Sequence, residues 1–107
     1  MYSENVTVLN KYGIHARPSA AIVLEASKYT SEIKITNLTD GAEANARSVL
    51  NLLLLNAPYG TELKIEATGT DEVEAVIGLV KTIRDLPSTV EIENKKEDKS
   101  LDSTDIK

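Results

Sequence analysis

The chain has no cysteine, no tryptophan, no phenylalanine and a single histidine. Without cysteine there are no disulfides and no thiolate metal ligands, which fits a reducing compartment. Four tyrosines are the only aromatics, so the core has to be built from Leu, Ile, Val and Ala. Positive charge is the minority sign: 12 basic against 17 acidic residues, a net charge of -5. A field of that sign repels phosphate backbones and argues against a DNA or RNA binder. Long apolar runs are also missing. Ala20 to Leu24 and Leu52 to Leu55 fall well short of the roughly 20 residues a bilayer span requires, so no membrane contact is expected. Met1-Tyr2-Ser3-Glu4 is not a basic stretch leading into an apolar run, so no signal peptide is expected and the location reads as cytoplasmic. A lone histidine makes no metal cluster, and no Gly-rich phosphate loop or HExxH motif occurs. Neither a metal nor a cofactor is expected.

At 107 residues, 41% of them hydrophobic and 27% charged, the chain reads as one globular domain with a modest core. Val6 and Val8 alternate with polar neighbours as a strand. A helix follows from Ala16, with Ala20, Val23, Leu24 and Ser27 as its stripe, ending near Lys28 or Tyr29. Ile33 and Ile35 mark a second strand, and Asp40-Gly41 a turn. Ala42, Ala44 and Ala46 form a weak third strand. Arg47 to Leu55 reads as a short helix with Ser48 as N-cap, broken by Pro58-Tyr59-Gly60. Leu63, Ile65 and Ala67 give a fourth strand.

The clearest helix opens at Gly69-Thr70-Asp71-Glu72, with Thr70 or Asp71 to cap it. Val73, Val76, Ile77, Val80 and Ile83 form its stripe, Lys81 and Arg84 suit its last turn, and Pro87 stops it. Gly78 within it costs about 1 kcal/mol against Ala unless close packing requires it. Residues 1–87 are therefore the domain and 88–107 a C-terminal extension, with a short strand at Thr89 to Glu93 and then a disordered tail. The order βαββαβα, with alternating strands, predicts an α+β fold: a four-stranded sheet covered on one face by three helices.

Chemistry concentrates in Gly13-Ile14-His15-Ala16-Arg17-Pro18. The histidine stands where a loop becomes a helix. Histidine is the side chain whose charge changes nearest neutral pH, and a helix start offers N–H groups and a positive dipole end to an anion. Arg17 in a first turn works against that dipole unless an anion visits, and its guanidinium suits phosphate oxygens. Pro18 is tolerated there and fixes the helix entry. The pattern points to a phosphoryl-accepting histidine, His15, with Arg17 stabilising the phosphate.

That run resembles the active-site signature of the HPr family, the histidine phosphocarriers of the bacterial phosphotransferase system. Arg47-Ser48-Val49-Leu50 resembles the family's regulatory-serine segment, and Gly60 to Gly69 its last strand. The resemblance spans about residues 3 to 86. It implies an open-faced β-sandwich with an antiparallel sheet of strand order 1-4-2-3, and phosphorylation of His15 at Nδ1 by enzyme I, itself charged by phosphoenolpyruvate. His15 would then pass the group to an enzyme IIA domain. It also implies ATP-dependent phosphorylation of Ser48 by an HPr kinase/phosphorylase. The alternative reading is a regulatory module in which Ser48 controls docking to a transcriptional regulator. Glu43-Ala44-Asn45 and Leu52 to Leu55 resemble the nitrogen-related branch, NPr. Tyr12 beside the histidine, Asn51, the Pro58-Tyr59 turn and the extension depart from the usual pattern.

Six of the seven residues from Val49 to Leu55 are apolar, more than one face of a short helix buries. The excess predicts an exposed patch for transient docking. Ala16, Ala20, Arg47, Val49, Leu50 and Leu53 are its expected members, with Arg47 and Lys11 as a positive rim for acidic partners. The carrier is expected to be a monomer.

Overall fold

The computed structural model describes residues 1–87. The expected strand at Thr89 to Glu93 and the expected disordered tail lie outside them. The described elements are β1 (Tyr2–Thr7), α1 (Ala16–Ala26), β2 (Glu32–Asn37), β3 (Glu43–Asn45), α2 (Val49–Leu54), β4 (Glu62–Thr68) and α3 (Glu72–Arg84). Their order is the one read from the sequence. The four strands form one antiparallel sheet in the order β1-β4-β2-β3.

Alternation sets the two faces of the sheet. Leu63, Ile65 and Ala67 of β4 point inward with Ile33 and Ile35 of β2 and Val6 of β1. The opposite face is wet, and there Lys34 sits within ion-pair distance of Glu43 and Glu66, at 3.4 and 3.6 Å. Helix α3 lies over β1 and β4, α1 packs beside α3, and α2 bridges α1 and β3. The core is aliphatic, as the aromatic shortage required: Ile22, Ile35, Leu52, Leu55, Leu63, Ile65, Leu79 and Ile83 are fully buried.

The helix faces differ from the sequence expectation. On α1 the buried residues are Pro18, Ser19, Ile22 and Ala26. Ala16, Ala20, Leu24 and Ser27 are exposed and Val23 is half-buried. On α3 the buried set is Ala75, Val76, Leu79, Val80 and Ile83, leaving Val73 and Ile77 outside. In both helices two neighbouring apolar stripes compete, and the positions of the other layers decide between them. The boundaries also tighten. Helix α1 stops at Ala26, β3 keeps only Glu43–Asn45, and Arg47 lies outside α2.

Long-range contacts fix the helix ends. Asp71 holds the N-cap position of α3 but makes no side-chain cap bond. Its carboxylate instead accepts from the Thr30 and Ser31 amides, at 2.9 and 3.0 Å, and from the Ser31 hydroxyl at 2.5 Å. The Ser31 hydroxyl, then the Thr30 amide, hold the Asp71 carboxyl down at about 2. Gly78 has its packing reason: a Cβ there would lie 2.6 Å from Glu25 Oε2 and inside contact distance of Tyr29 Oη.

Candidate functional site

His15 sits at the N-cap of α1 in extended conformation, with φ -124° and ψ -161°. Its side chain makes no capping bond, while its carbonyl accepts the Ser19 N–H at 2.8 Å. The first-turn N–H groups beside it are those of Ala16 and Arg17, because Pro18 has none. Pro18 is buried against the core and Arg17 is exposed. The histidine ring is half-buried: its Nε2 is enclosed and has no hydrogen-bond partner among the described residues.

The loop that presents the ring is braced from below. Asn10 Nδ2 donates to the Gly13 carbonyl at 2.5 Å, and the Gly13 N–H returns to the Asn10 carbonyl at 3.1 Å. Gly13 has φ +72°, and a Cβ there would meet the Ala57 oxygen at 2.6 Å and Pro58 Cα at 2.7 Å. The Ile14 N–H donates to that same Ala57 carbonyl at 3.0 Å. Only glycine combines this positive φ with so close an approach. The 55–57 segment is itself held by buried Asn37, whose Nδ2 donates to the Leu55 and Asn56 carbonyls, each at 3.3 Å. These bonds engage carbonyls that the end of α2 would otherwise leave unmatched. Asn37, Ala57 and Asn10 thus position the histidine. Sequence reasoning passed over all three, since nothing local marks them.

The C-terminal end of α2 therefore leads into the histidine loop. Val49, Leu50 and Leu53 are exposed, as expected of a docking patch, and so are Ala16 and Ala20 on α1. Two further leucines are exposed beside them. Leu24, 70% exposed, continues the Ala16–Ala20 row one turn further, and Leu54 is 71% exposed beside Leu50 at 63%. The signal for Leu54 was the apolar excess itself. Leu24 had been given to the buried stripe.

Ser48 caps α2 as expected, its Oγ accepting the Asn51 N–H at 3.1 Å. Arg47 does not rim the histidine end of the patch. Its guanidinium donates to the Tyr29 carbonyl, past the far end of α1. Lys11 lies over the Tyr12 ring, 5.5 Å from its centroid, so both side chains stand on the loop before His15. No helix among the described residues is long and apolar enough to cross a membrane.

A sheet of order β1-β4-β2-β3 under three helices, with a histidine opening the first of them, defines an open-faced β-sandwich of one particular kind. The family model described as the PTS HPr component phosphorylation site matches residues 2–85. The chain belongs to this HPr family of phosphotransferase-system phosphocarriers. It is 42% identical over 83 residues to the phosphocarrier protein HPr of Haemophilus influenzae, covering 78% of this chain and 95% of that one. It is 40% identical over 78 residues to the multiphosphoryl transfer protein of the same organism, covering 72% of this chain and 16% of that one. Among solved structures, HPr-C-His from Thermoanaerobacter tengcongensis matches with a TM-score of 0.73 at 37% identity, covering 78% of this chain and 91% of that one.

Proposed function

We propose that this protein carries a phosphoryl group on His15, taking it from phosphorylated enzyme I and handing it to an enzyme IIA domain. The observation that carries the reading is the half-buried ring at the mouth of α1, turned so that Nε2 is enclosed. An enclosed Nε2 leaves Nδ1 as the nitrogen for the reaction. The Nδ1 lone pair forms the N–P bond while the bond from phosphorus to the donor atom on enzyme I breaks, and that atom keeps the bonding pair. A ring reacting through Nδ1 retains its proton on Nε2. Charge on the phosphoryl oxygens is met by the first-turn N–H groups and by Arg17. Transfer onward is the same step in reverse, with the IIA nucleophile attacking phosphorus and Nδ1 leaving.

The exposed leucines beside the site fit a carrier that must bind two partners in turn and release both. A small apolar patch with a polar rim supports short-lived complexes. Ser48 serves first as the cap of α2. An ATP-dependent phosphate there would add charge at the end of the patch remote from His15 and would alter docking rather than folding.

The test is direct. The protein incubated with enzyme I and phosphoenolpyruvate gains one acid-labile phosphate, which His15→Ala abolishes and which passes to a IIA domain on mixing. Running sugar-type and nitrogen-type IIA domains in parallel distinguishes the two branches. Labelling that persists in His15→Ala overturns the assignment.

A further inference from the structure

Among the described residues, three buried side-chain atoms have no hydrogen-bond partner: Asn10 Oδ1, His15 Nε2 and Ser19 Oγ. All three belong to the segment that wraps the histidine. Buried polar atoms are nearly always bonded, to protein or to an ordered water, and leaving one bare is costly. Three in one short segment call for a shared partner.

The fold directs each of them. Asn10 is 1% exposed, and its Nδ2 donates to the Gly13 carbonyl at 2.5 Å. A carbonyl only accepts, so that bond fixes which end of the amide is nitrogen and keeps Oδ1 inside the histidine loop. Ser19 is wholly buried, and its N–H bonds to the His15 carbonyl, so it lies one turn on from the histidine. Cα–Cβ bonds lean toward the N-terminus of a helix, which aims the Ser19 side chain back at the turn that His15 opens. A helical serine can return its hydroxyl to the carbonyl four residues earlier. Ser27, capping the other end of the same helix, does so, donating to the Val23 carbonyl at 2.8 Å. Ser19 makes no such bond, which leaves its hydroxyl to the site.

We propose that Asn10 and Ser19 are positioning residues that hold one enclosed water against His15 Nε2, and that this water sets the tautomer and orientation of the ring for phosphoryl transfer. The inference rests on His15 as the phosphoryl acceptor. An enclosed water makes about three hydrogen bonds, and these three atoms supply them. The Asn10 amide oxygen only accepts, so it draws one hydrogen of the water away from the ring and favours a lone pair toward Nε2. The imidazole then donates there, and its own lone pair is left on Nδ1. A ring flip about Cβ–Cγ would put Cε1 at the water in place of Nε2. The same bond therefore holds the ring in the orientation that presents Nδ1 to phosphorus.

Histidine NMR on the full-length protein tests this, with Ser19→Ala as the variant and Ser27→Ala as the control. Ser19→Ala removes the buried hydroxyl and keeps a good helix former. In the parent, the Nε2 proton should give a resonance at neutral pH that is protected from solvent exchange and shows a cross-peak to a long-lived water. Ser19→Ala should speed exchange of that proton at least about tenfold. It should also slow phosphorylation by enzyme I about threefold to tenfold, the worth of one neutral hydrogen bond. Ser27→Ala should change neither. A Ser19→Ala protein that keeps the parent's proton exchange, or the parent's labelling rate, overturns the proposal. A parent Nε2 proton that exchanges freely overturns it too, even where Ser19→Ala fails to fold. A parent that takes no phosphate on His15 refutes the carrier reading instead, and proton exchange still decides whether the water is held.

Discussion

Replacing Gly78 by alanine tests how α1 and α3 are held together. In an exposed helix the change stabilises by about 1 kcal/mol, because glycine is a poor helix former. Here the new Cβ would press on Tyr29 Oη and lie 2.6 Å from Glu25 Oε2. Those atoms form a 2.7 Å hydrogen bond, and the bond to the Glu25 carboxylate is the main reason the Tyr29 hydroxyl is pushed up to about 12. Hydrogen bonds to charged groups contribute about 1.5–3 kcal/mol. For this partly solvated pair, a loss near 1.5 kcal/mol is appropriate. Tyr29 also packs against the core, and moving its ring costs about another 0.5 kcal/mol. The losses exceed the propensity gain by about 1 kcal/mol, a melting-temperature drop of roughly 4–8 °C for a domain of this size.

The control is Tyr29→Phe. Its hydroxyl is gone, and the nearest ring atom, Cζ, stands 3.1 Å from the new Cβ, a contact that a small shift relieves. In that background Gly78→Ala should be neutral or stabilising by up to about 1 kcal/mol. The two substitutions should therefore couple by about 1–2 kcal/mol in a double-mutant cycle. Urea unfolding followed by far-UV circular dichroism gives all four stabilities. Spectrophotometric titration offers a second readout, because Gly78→Ala should return a high-pH tyrosine toward 10.0. The reasoning fails if Gly78→Ala stabilises the parent by the full propensity gain, or if its effect is the same in both backgrounds.

Asp71 makes stability pH-dependent: its folded value of about 2 lies below the ordinary 3.8, so its contribution is whole above 3.8 and lost as pH falls through about 2. Asp71→Asn should therefore melt lower than the parent at neutral pH, with a deficit that shrinks across that acid window; a constant deficit in thermal scans would contradict this. Gly13→Ala should destabilise by at least about 1–2 kcal/mol from positive φ alone and should slow phosphorylation of His15, read by calorimetry and by labelling from enzyme I. Ser48→Ala should cost about 1 kcal/mol through loss of the α2 cap while leaving the initial rate of His15 labelling unchanged. Leu50→Glu should slow transfer from enzyme I by about tenfold or more through lost docking, with circular dichroism unchanged; an unaltered rate would remove Leu50 from the docking surface.

What could be read from the sequence was what a short stretch of chain decides for itself. Leu63-Lys64-Ile65-Glu66-Ala67 alternates and is a strand with those faces. Ser48 stands three residues before Asn51 and caps the amide there. Gly13 to Arg17 holds the loop, the histidine and the helix start in one contiguous run, so the candidate site was legible without tertiary structure. Its supports were not. Asn37 sits at an inward strand position where an apolar residue was expected. Its purpose appears only when the end of α2 arrives above it. Asp71 looked like a helix cap, yet its carboxylate closes the turn before β2 instead.

The misjudged helix faces have a related cause with a functional side. Ala20 to Leu24 is apolar all the way round, and α3 carries two overlapping stripes that share Val76, Val80 and Ile83. Periodicity cannot choose when a helix holds more apolar residues than its contact buries. A domain that only had to fold would shed the surplus, because exposed Leu24, Leu50 and Leu54 contribute little to the core and raise the risk of association. Their presence on α1 and α2 fits the docking surface proposed beside the histidine. On α3 the surplus, Val73 and Ile77, lies on the flank turned away from α1.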